Sequence, residues 1–368
     1  MLYYDAANEG LWIGTHMGGL NRLHIANGQI TTYRTQAGNP YSLPSDIVRD
    51  IIPCGKQLVI ATQTGICLFN PTNEQCELLP IQTHDGRPIK TVTSIAIDRE
   101  GVLWIAAIGE GVYRYRFDTK QVTNYRHNPD RPGSLSNNTV NNILCDSRGT
   151  LWFSTSGSGL DCYRPLTDDF ENFDQRQNGL LNDCVYRAEE STMRNKLLLI
   201  TNGGFSIFDL TSKQFTNYSH HSGFPLSSIN ENSLCVTRDG EVFLGSTQGM
   251  ISFYETQLDF CSKPYHILLT RLLVNGKEIR VNDESEILQE ALEYTSSITL
   301  NAGQSMFSIE FATNNFITSN EDEIIYKLEG FSGSDPEVST RAGVLTPGFD
   351  WSAYPRSFNA SLGINLNF

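Results

Sequence analysis

The sequence predicts an all-β fold, a β-propeller of six recognisable repeats, and three observations carry that expectation. One apolar motif returns six times, at Leu11-Trp12-Ile13-Gly14-Thr15, Leu58-Val59-Ile60-Ala61-Thr62, Leu103-Trp104-Ile105-Ala106-Ala107, Leu151-Trp152-Phe153-Ser154-Thr155, Leu198-Leu199-Ile200-Thr201-Asn202 and Val242-Phe243-Leu244-Gly245-Ser246. Its second positions stand 47, 45, 48, 47 and 44 residues apart, and a period in the mid-forties with four short strands per unit is the propeller arrangement. Thirty glycines and fourteen prolines among 368 residues supply the frequent turns that such a fold needs.

Each unit repeats one internal order. An apolar inner strand comes first and ends in a tight turn, as in Asp98-Arg99-Glu100-Gly101, Asp146-Ser147-Arg148-Gly149 and Thr237-Arg238-Asp239-Gly240. Asp or Thr at the first position and Gly at the fourth suit a type I turn followed by a left-handed residue. The apolar motif follows, then a glycine turn into a third strand, at Gly19-Leu20, Gly65-Ile66, Gly111-Val112 and Gly159-Leu160. An outer strand such as Gln121–Tyr125 or Gln214–Tyr218 completes the blade. Long crossovers, 35–45 and 126–138, lead to the next inner strand and gather on one face, where ligands approach a propeller.

Composition narrows the function. A net charge of −14 repels phosphate, which argues against nucleic acid and anionic membrane as partners and is compatible with a neutral small-molecule or oligosaccharide ligand. No run of about eighteen apolar residues exists to cross a membrane as a helix, and the start, Met1 to Glu9, lacks the pattern of a signal peptide. Cysteines 54, 67, 76, 145, 162, 184, 235 and 261 form no CxxC or zinc spacing and read as small buried hydrophobes, with their redox state open.

The run Leu11–Thr15 with Gly18-Gly19-Leu20-Asn21-Arg22, and Tyr125-Arg126-His127-Asn128-Pro129-Asp130 with Ser134-Leu135-Ser136-Asn137-Asn138-Thr139-Val140 between units, resembles the two-component regulator propeller repeat. The resemblance covers residues 1 to about 255, with the Trp missing from the second, fifth and sixth copies. It implies the periplasmic, commonly glycan-detecting sensor of a hybrid two-component system. Residues 264–330 resemble the Y_Y_Y domain, an immunoglobulin-like β-sandwich. Here it would be truncated, with strands expected at 264–274, Ile298–Leu300, Phe307–Ala312 and Ile325–Gly330. In the intact family protein that sandwich implies a homodimer contact and a link to a membrane helix.

The expected domains are therefore a propeller over 1–258 whose first blade is incomplete, a partial sandwich over 264–330, and a tail over 331–368. The tail alternates Phe358, Ala360, Leu362, Ile364, Leu366 and Phe368 on one side. It resembles the last barrel strand of SusC-like TonB-dependent receptors. A chimera joined between Gly330 and Asp335, with the tail strand lacking a partner, is the expectation. Whether the repeats close a six-bladed ring or form part of a seven-bladed one stays open.

No P-loop, GxGxxG, GxSxG or HExxH motif is present, so no catalytic residue, metal site or cofactor is expected. Adjacent histidines His220 and His221 point apart on a strand end and read as loop residues. Trp12, Trp104 and Trp152 could stack on sugars, but their shared blade position favours packing between blades. The ligand-binding candidates are His16, in the turn after the first motif, and Arg126 and His127, in a crossover. The expected function is ligand sensing by an extracytoplasmic region without the kinase of the parent sensor. The alternatives are a propeller enzyme of the streptogramin-lyase type, which needs a histidine or metal cluster at the channel, and a protein-interaction scaffold.

Overall fold

The computed structural model describes residues 1–6, 9–83, 86–219, 228–258, 267–295, 297–300, 304, 306–313 and 364–365. Two compact units are present, one holding Met1–His220 with Phe224–Asp259 and the other His221–Gly223 with Phe260–Phe368. The first unit is the β-propeller. Its inner strands are Leu2–Asp5, Val48–Cys54, Val92–Ile97, Val140–Cys145, Val185–Glu190 and Ile229–Val236. Each leads an antiparallel sheet whose strands pair in chain order, four strands in blades one to five and three in blade six. After the third strand of blade six, Gly249–Tyr254, the chain forms a 3-10 turn, Glu255–Leu258.

Local chemistry explains the hairpins. Asp98, Asp146 and Thr237 open turns closed by hydrogen bonds from Gly101, Gly149 and Gly240 N to their carbonyls, at 3.0, 2.8 and 3.1 Å. Gly101 and Gly149 sit at φ 78° and 86°, the left-handed region that glycine enters without cost. The Asp98 carboxylate accepts from Glu100 N and Val102 N and, through its other oxygen, from Trp104 Nε1 at 2.8 Å. Asp146 repeats this with Arg148 N, Thr150 N and Trp152 Nε1. Turn and motif are thus one hydrogen-bonded unit.

The tryptophans pack between blades. Trp104 is 1% exposed, stacks on Tyr125 at 5.6 Å, and meets Phe153 and Tyr163 of blade four at 5.7 and 4.8 Å. Trp12 holds the same place between blades one and two, with Phe69 at 5.4 Å and the Arg22 guanidinium 5.3 Å from its ring centre. Trp12 Nε1, however, has no hydrogen-bond partner among the described residues. The turn before it is one residue longer, since Asp5 pairs with Gly10 whereas Asp98 N bonds Val102 O.

A bulge recurs in five inner strands, at Val48/Asp50, opposite Ala106/Ala107, at Val140/Asn142, at Val185/Arg187 and between Ile229 and Leu234. Bulging re-aims a side chain, and here it stitches neighbours together. Asp50 accepts from Ile95 N at 3.0 Å and Ser94 Oγ at 3.1 Å. Ser94 Oγ in turn accepts from Ile143 N, and Asn142 Oδ1 accepts from Ala188 N. Inner strands two to five are therefore linked in series through a polar side chain at one repeat position.

One alignment needs correction. Thr15, Thr62 and Thr155 close their hairpins by donating to Gly19, Gly65 and Gly159 carbonyls, and Thr201 does so to Gly204. Thr201 is therefore the fifth motif position, and Leu198, not Leu199, stands where the Trp does. Without a Trp as anchor, a run of three leucines gave the sequence no way to set the register.

In the second unit a sheet orders Lys277–Ile279, Ile267–Val274, Met306–Thr313 and Ile364–Asn365. Ile298 and Leu300 pack against Leu272, Val274, Leu288 and Leu292 but form no strand, contrary to expectation, while Phe307–Ala312 lies within one as expected. Ile364–Asn365 pairs with Met306 and Phe307, so the tail strand has a neighbour after all. The strand expected at Ile325–Gly330 and the rest of the tail lie outside the described residues.

Candidate functional site

The crossover between blades three and four builds the site that holds two of the sequence candidates. Its fold is set by short-range polar bonds. His127 N donates to Asn138 Oδ1 at 2.8 Å, Asn128 N to Ser134 Oγ at 3.0 Å, and Asp130 N to Asn128 Oδ1 at 3.0 Å. The crossover between blades one and two repeats the scheme with Thr35 N on Asp46 and Gln36 N on Ser42. Tyr33 and Tyr125, at the ends of the outer strands, donate to Glu74 and Asp168 of the next blade at 2.8 and 2.6 Å. Both acidic residues sit at positive φ. Burial, and after it the Glu74 carboxylate that accepts from the hydroxyl, push the Tyr33 pKa up to about 12.

Beside this crossover lies a cleft of about 370 Å³ lined by Arg126, His127, Arg131 and Asp168 among others. Arg126 is engaged, pairing with Glu110 at 2.9 Å and donating to Gly109 O at 3.2 Å. His127 Nδ1 lies 2.9 Å from Leu135 O. A carbonyl only accepts, so Nδ1 carries a proton. His16 is exposed, in a turn that touches the first crossover through Gly19 N to Asp46 O. It does not line this cleft. The candidates thus share the crossover face, and the structure brings together only Arg126 and His127.

Sequence reasoning missed Asp161, which is fully buried beneath the crossover. It accepts from Ser136 N and Asn172 Nδ2, both at 2.8 Å. Burial raises its carboxyl to about 6, against the pull of those bonds and of His127. The folded-state value exceeds the unfolded one, so between about pH 4 and 6 the native state binds more protons. The contribution of Asp161 to stability is then greatest below about pH 4, falls by about 3 kcal/mol as pH rises to about 6, and is flat above. Carboxyl ¹³C NMR should place the Asp161 titration near pH 6. A value in the ordinary aspartate range would contradict this assignment.

A second depression, of about 650 Å³, lies at the inner hairpin turns of blades four to six and carries Arg148, Arg194, Lys196 and Arg238. Its signal was present in the sequence as an arginine in successive inner turns, Arg99, Arg148, Arg194 and Arg238. No three His, Cys, Asp or Glu side chains converge as for a metal among the described residues. His220 and His221 lie outside them. The described cysteines are unpaired thiols, with Cys67 and Cys76 buried and Cys235 exposed.

Comparison with known proteins agrees with this architecture. Residues 134–157, the crossover and motif of blade four, match the family described as two component regulator propeller. Histidine kinase P4 of Formosa agariphila is 22% identical over 325 residues, 87% of this chain and 20% of that protein. The extracellular domain of the hybrid two-component system BT3049 from B. thetaiotaomicron aligns with a TM-score of 0.63 and 23% identity, covering 84% of this chain and 40% of its own. That of BT4673 from the same organism gives 0.52 and 20%, over 84% and 41%. The chain spans about a fifth of the curated relative and two fifths of these solved domains. The fold is a β-propeller, and within it residues 134–157 match the two-component regulator propeller repeat. Among the described residues no helix is long and apolar enough to cross a membrane.

Proposed function

We propose that this chain is the ligand-sensing part of a hybrid two-component signalling protein, placed outside the cytoplasm and binding a glycan-derived ligand. The observation that supports this most is the regulator repeat at residues 134–157, which forms the crossover beside the Arg126–His127 cleft. That cleft has the character of a recognition surface. Its cations and amides are held by short-range bonds, which suits hydrogen bonding to hydroxyl-rich molecules. The chain itself performs no catalysis in this reading, and phosphotransfer belongs to the kinase of the parent sensor. The second unit would act as part of a Y_Y_Y sandwich and contribute a homodimer contact.

A ligand shifts a signalling equilibrium only by its differential affinity for two states, so binding is the property to test. Purified protein should be screened by thermal unfolding against a library of oligosaccharides. A ligand at about one hundred times its Kd adds about 2.7 kcal/mol of stability, enough to raise Tm by a few degrees. Unchanged Tm with every oligosaccharide would contradict the reading. Light scattering of the same preparation tests the dimer.

A further inference from the structure

We propose that one peptide group of the crossover between blades three and four, Leu135–Ser136, and the buried Asp161 beneath it form a proton-operated latch, which acid holds shut and neutral pH loosens. The latch adds a control to the crossover cleft and does not depend on what that cleft binds. The peptide group is held at both ends. Its carbonyl, Leu135 O, accepts from His127 Nδ1 at 2.9 Å, and its amide, Ser136 N, donates to Asp161 Oδ2 at 2.8 Å. Two titratable side chains are thus joined through a single peptide group. Leu135 and Asp161 are both fully buried, whereas His127 is exposed and lines the cleft.

The molecule contains the same crossover without the latch. Between blades one and two, Thr35 N on Asp46 and Gln36 N on Ser42 match His127 N on Asn138 and Asn128 N on Ser134. The two crossovers therefore align residue by residue, with no gap. At the place of His127 stands Thr35, and at that of Ser136 stands Pro44, which has no N–H to donate. Asp161 lies opposite Phe153 of the blade-four motif, and its counterpart in blade two, opposite Ile60, is Cys67. All three parts of the latch are absent together, and a buried thiol fills the place of the carboxyl. An acid kept in the core beneath one crossover and bonded to its backbone is a local device, not a requirement of the repeat.

The sign follows from burial. Closed, the crossover keeps water from Asp161, whose carboxyl holds its proton up to about pH 6 because burial disfavours the charge. Opened, the same carboxyl is hydrated and ionises near pH ~4, as an ordinary aspartate does. Opening therefore releases a proton between those values. Its equilibrium constant rises up to about a hundredfold from about pH 4 to about pH 6 and is level above. The other charges near Asp161 are already engaged. Its strand neighbours Phe153 and Asn172 carry none. Tyr163 and Arg114 are tied to Asp168, and Glu110 pairs with Arg126. Beyond the Gly159 turn, Asp174 and Asp183 accept from Gln177 N and Gln175 N. Within the crossover Asp130 is exposed, Arg131 acts on Asp168 and Asp169, and the His127 ring opposes the effect of burial on Asp161.

Amide hydrogen exchange on the full chain tests the latch without any ligand, from about pH 4 to about pH 7 with the intrinsic exchange rates divided out. Protection at Ser136 N, His127 N and Asn128 N should fall, by up to about a hundredfold, as pH rises to about 6. Thr35 N and Gln36 N, in the crossover without the acid, should keep theirs. Asp161→Asn should level the profile at His127 and Asn128. So should Ser136→Pro/Asp161→Cys, which installs the pair that blade two already holds as Pro44 and Cys67, and circular dichroism verifies that both variants fold. Protection at Ser136 that stays constant with pH would overturn the proposal. An equal fall at Thr35, the mark of global unfolding, would overturn it too, as would an undiminished fall in the variants. None of these outcomes bears on oligosaccharide binding, so the latch and the sensing reading fail separately.

Discussion

Trp104→Ala is expected to destabilise the propeller by about 4 kcal/mol, the usual cost of deleting a buried aromatic. The indole contacts Tyr125 within its own blade and Phe153 and Tyr163 in the next, so truncation opens a cavity between blades three and four. It also removes the Nε1 bond that ties Asp98 to the motif. Two milder variants separate these effects. Trp104→Phe loses both volume and hydrogen bond, whereas Trp12→Phe loses volume alone, because Trp12 Nε1 has no partner among the described residues. The first should cost about 1 kcal/mol more than the second, the net worth of one such bond. Urea unfolding of the three variants measures this. Equal losses for the two phenylalanine variants would show that the Asp98–Trp104 bond contributes nothing.

Asp50→Ala should cost about 3 kcal/mol. The carboxylate is buried and accepts from Ile51 N at 2.9 Å, Ile95 N at 3.0 Å and Ser94 Oγ at 3.1 Å. Burial raises its pKa, opposed by these bonds and by Arg187. Alanine would leave two buried N–H groups without acceptors, each worth about 1–3 kcal/mol. The effect should spread, because Ser94 also accepts from Ile143 of the following blade. Asp50→Asn should lose less than half as much, since Asn142 fills the equivalent place in blade four and accepts from Ala188 N. Native-state hydrogen exchange reads this directly. Protection at Ile95 should fall in the alanine variant and survive in the asparagine one. Unchanged protection at Ile95 in the alanine variant would contradict the stitched inner strands.

What the sequence disclosed follows from the range of the interactions. Turn glycines such as Gly101 and Gly149, the motif strands and the burial of Trp104 depend on neighbours a few residues away, and all were legible. Stitching by Asp50, Ser94 and Asn142 was not, since each partner lies about 45 residues on and only the bulge aims the side chain at it. The fifth copy was misaligned by one residue for want of a Trp. Arg126 and His127, candidates drawn from the crossover signature, both line the crossover cleft, while Asp161 looked like an ordinary strand residue until burial set its chemistry. His16, expected in a turn on a propeller surface, does not line that cleft. The cations of the second depression come from three separate turns, and only their recurrence with the repeat could have signalled them.

The central claim is that this propeller recognises an oligosaccharide and leaves it unchanged. The most direct measurement is calorimetric titration of the purified protein with the oligosaccharides that raise its Tm, followed by chromatography of the recovered sugars. Saturable binding with the sugars intact is the predicted result. Cleavage of the sugar, or the absence of saturable heat with every oligosaccharide tried, would contradict it.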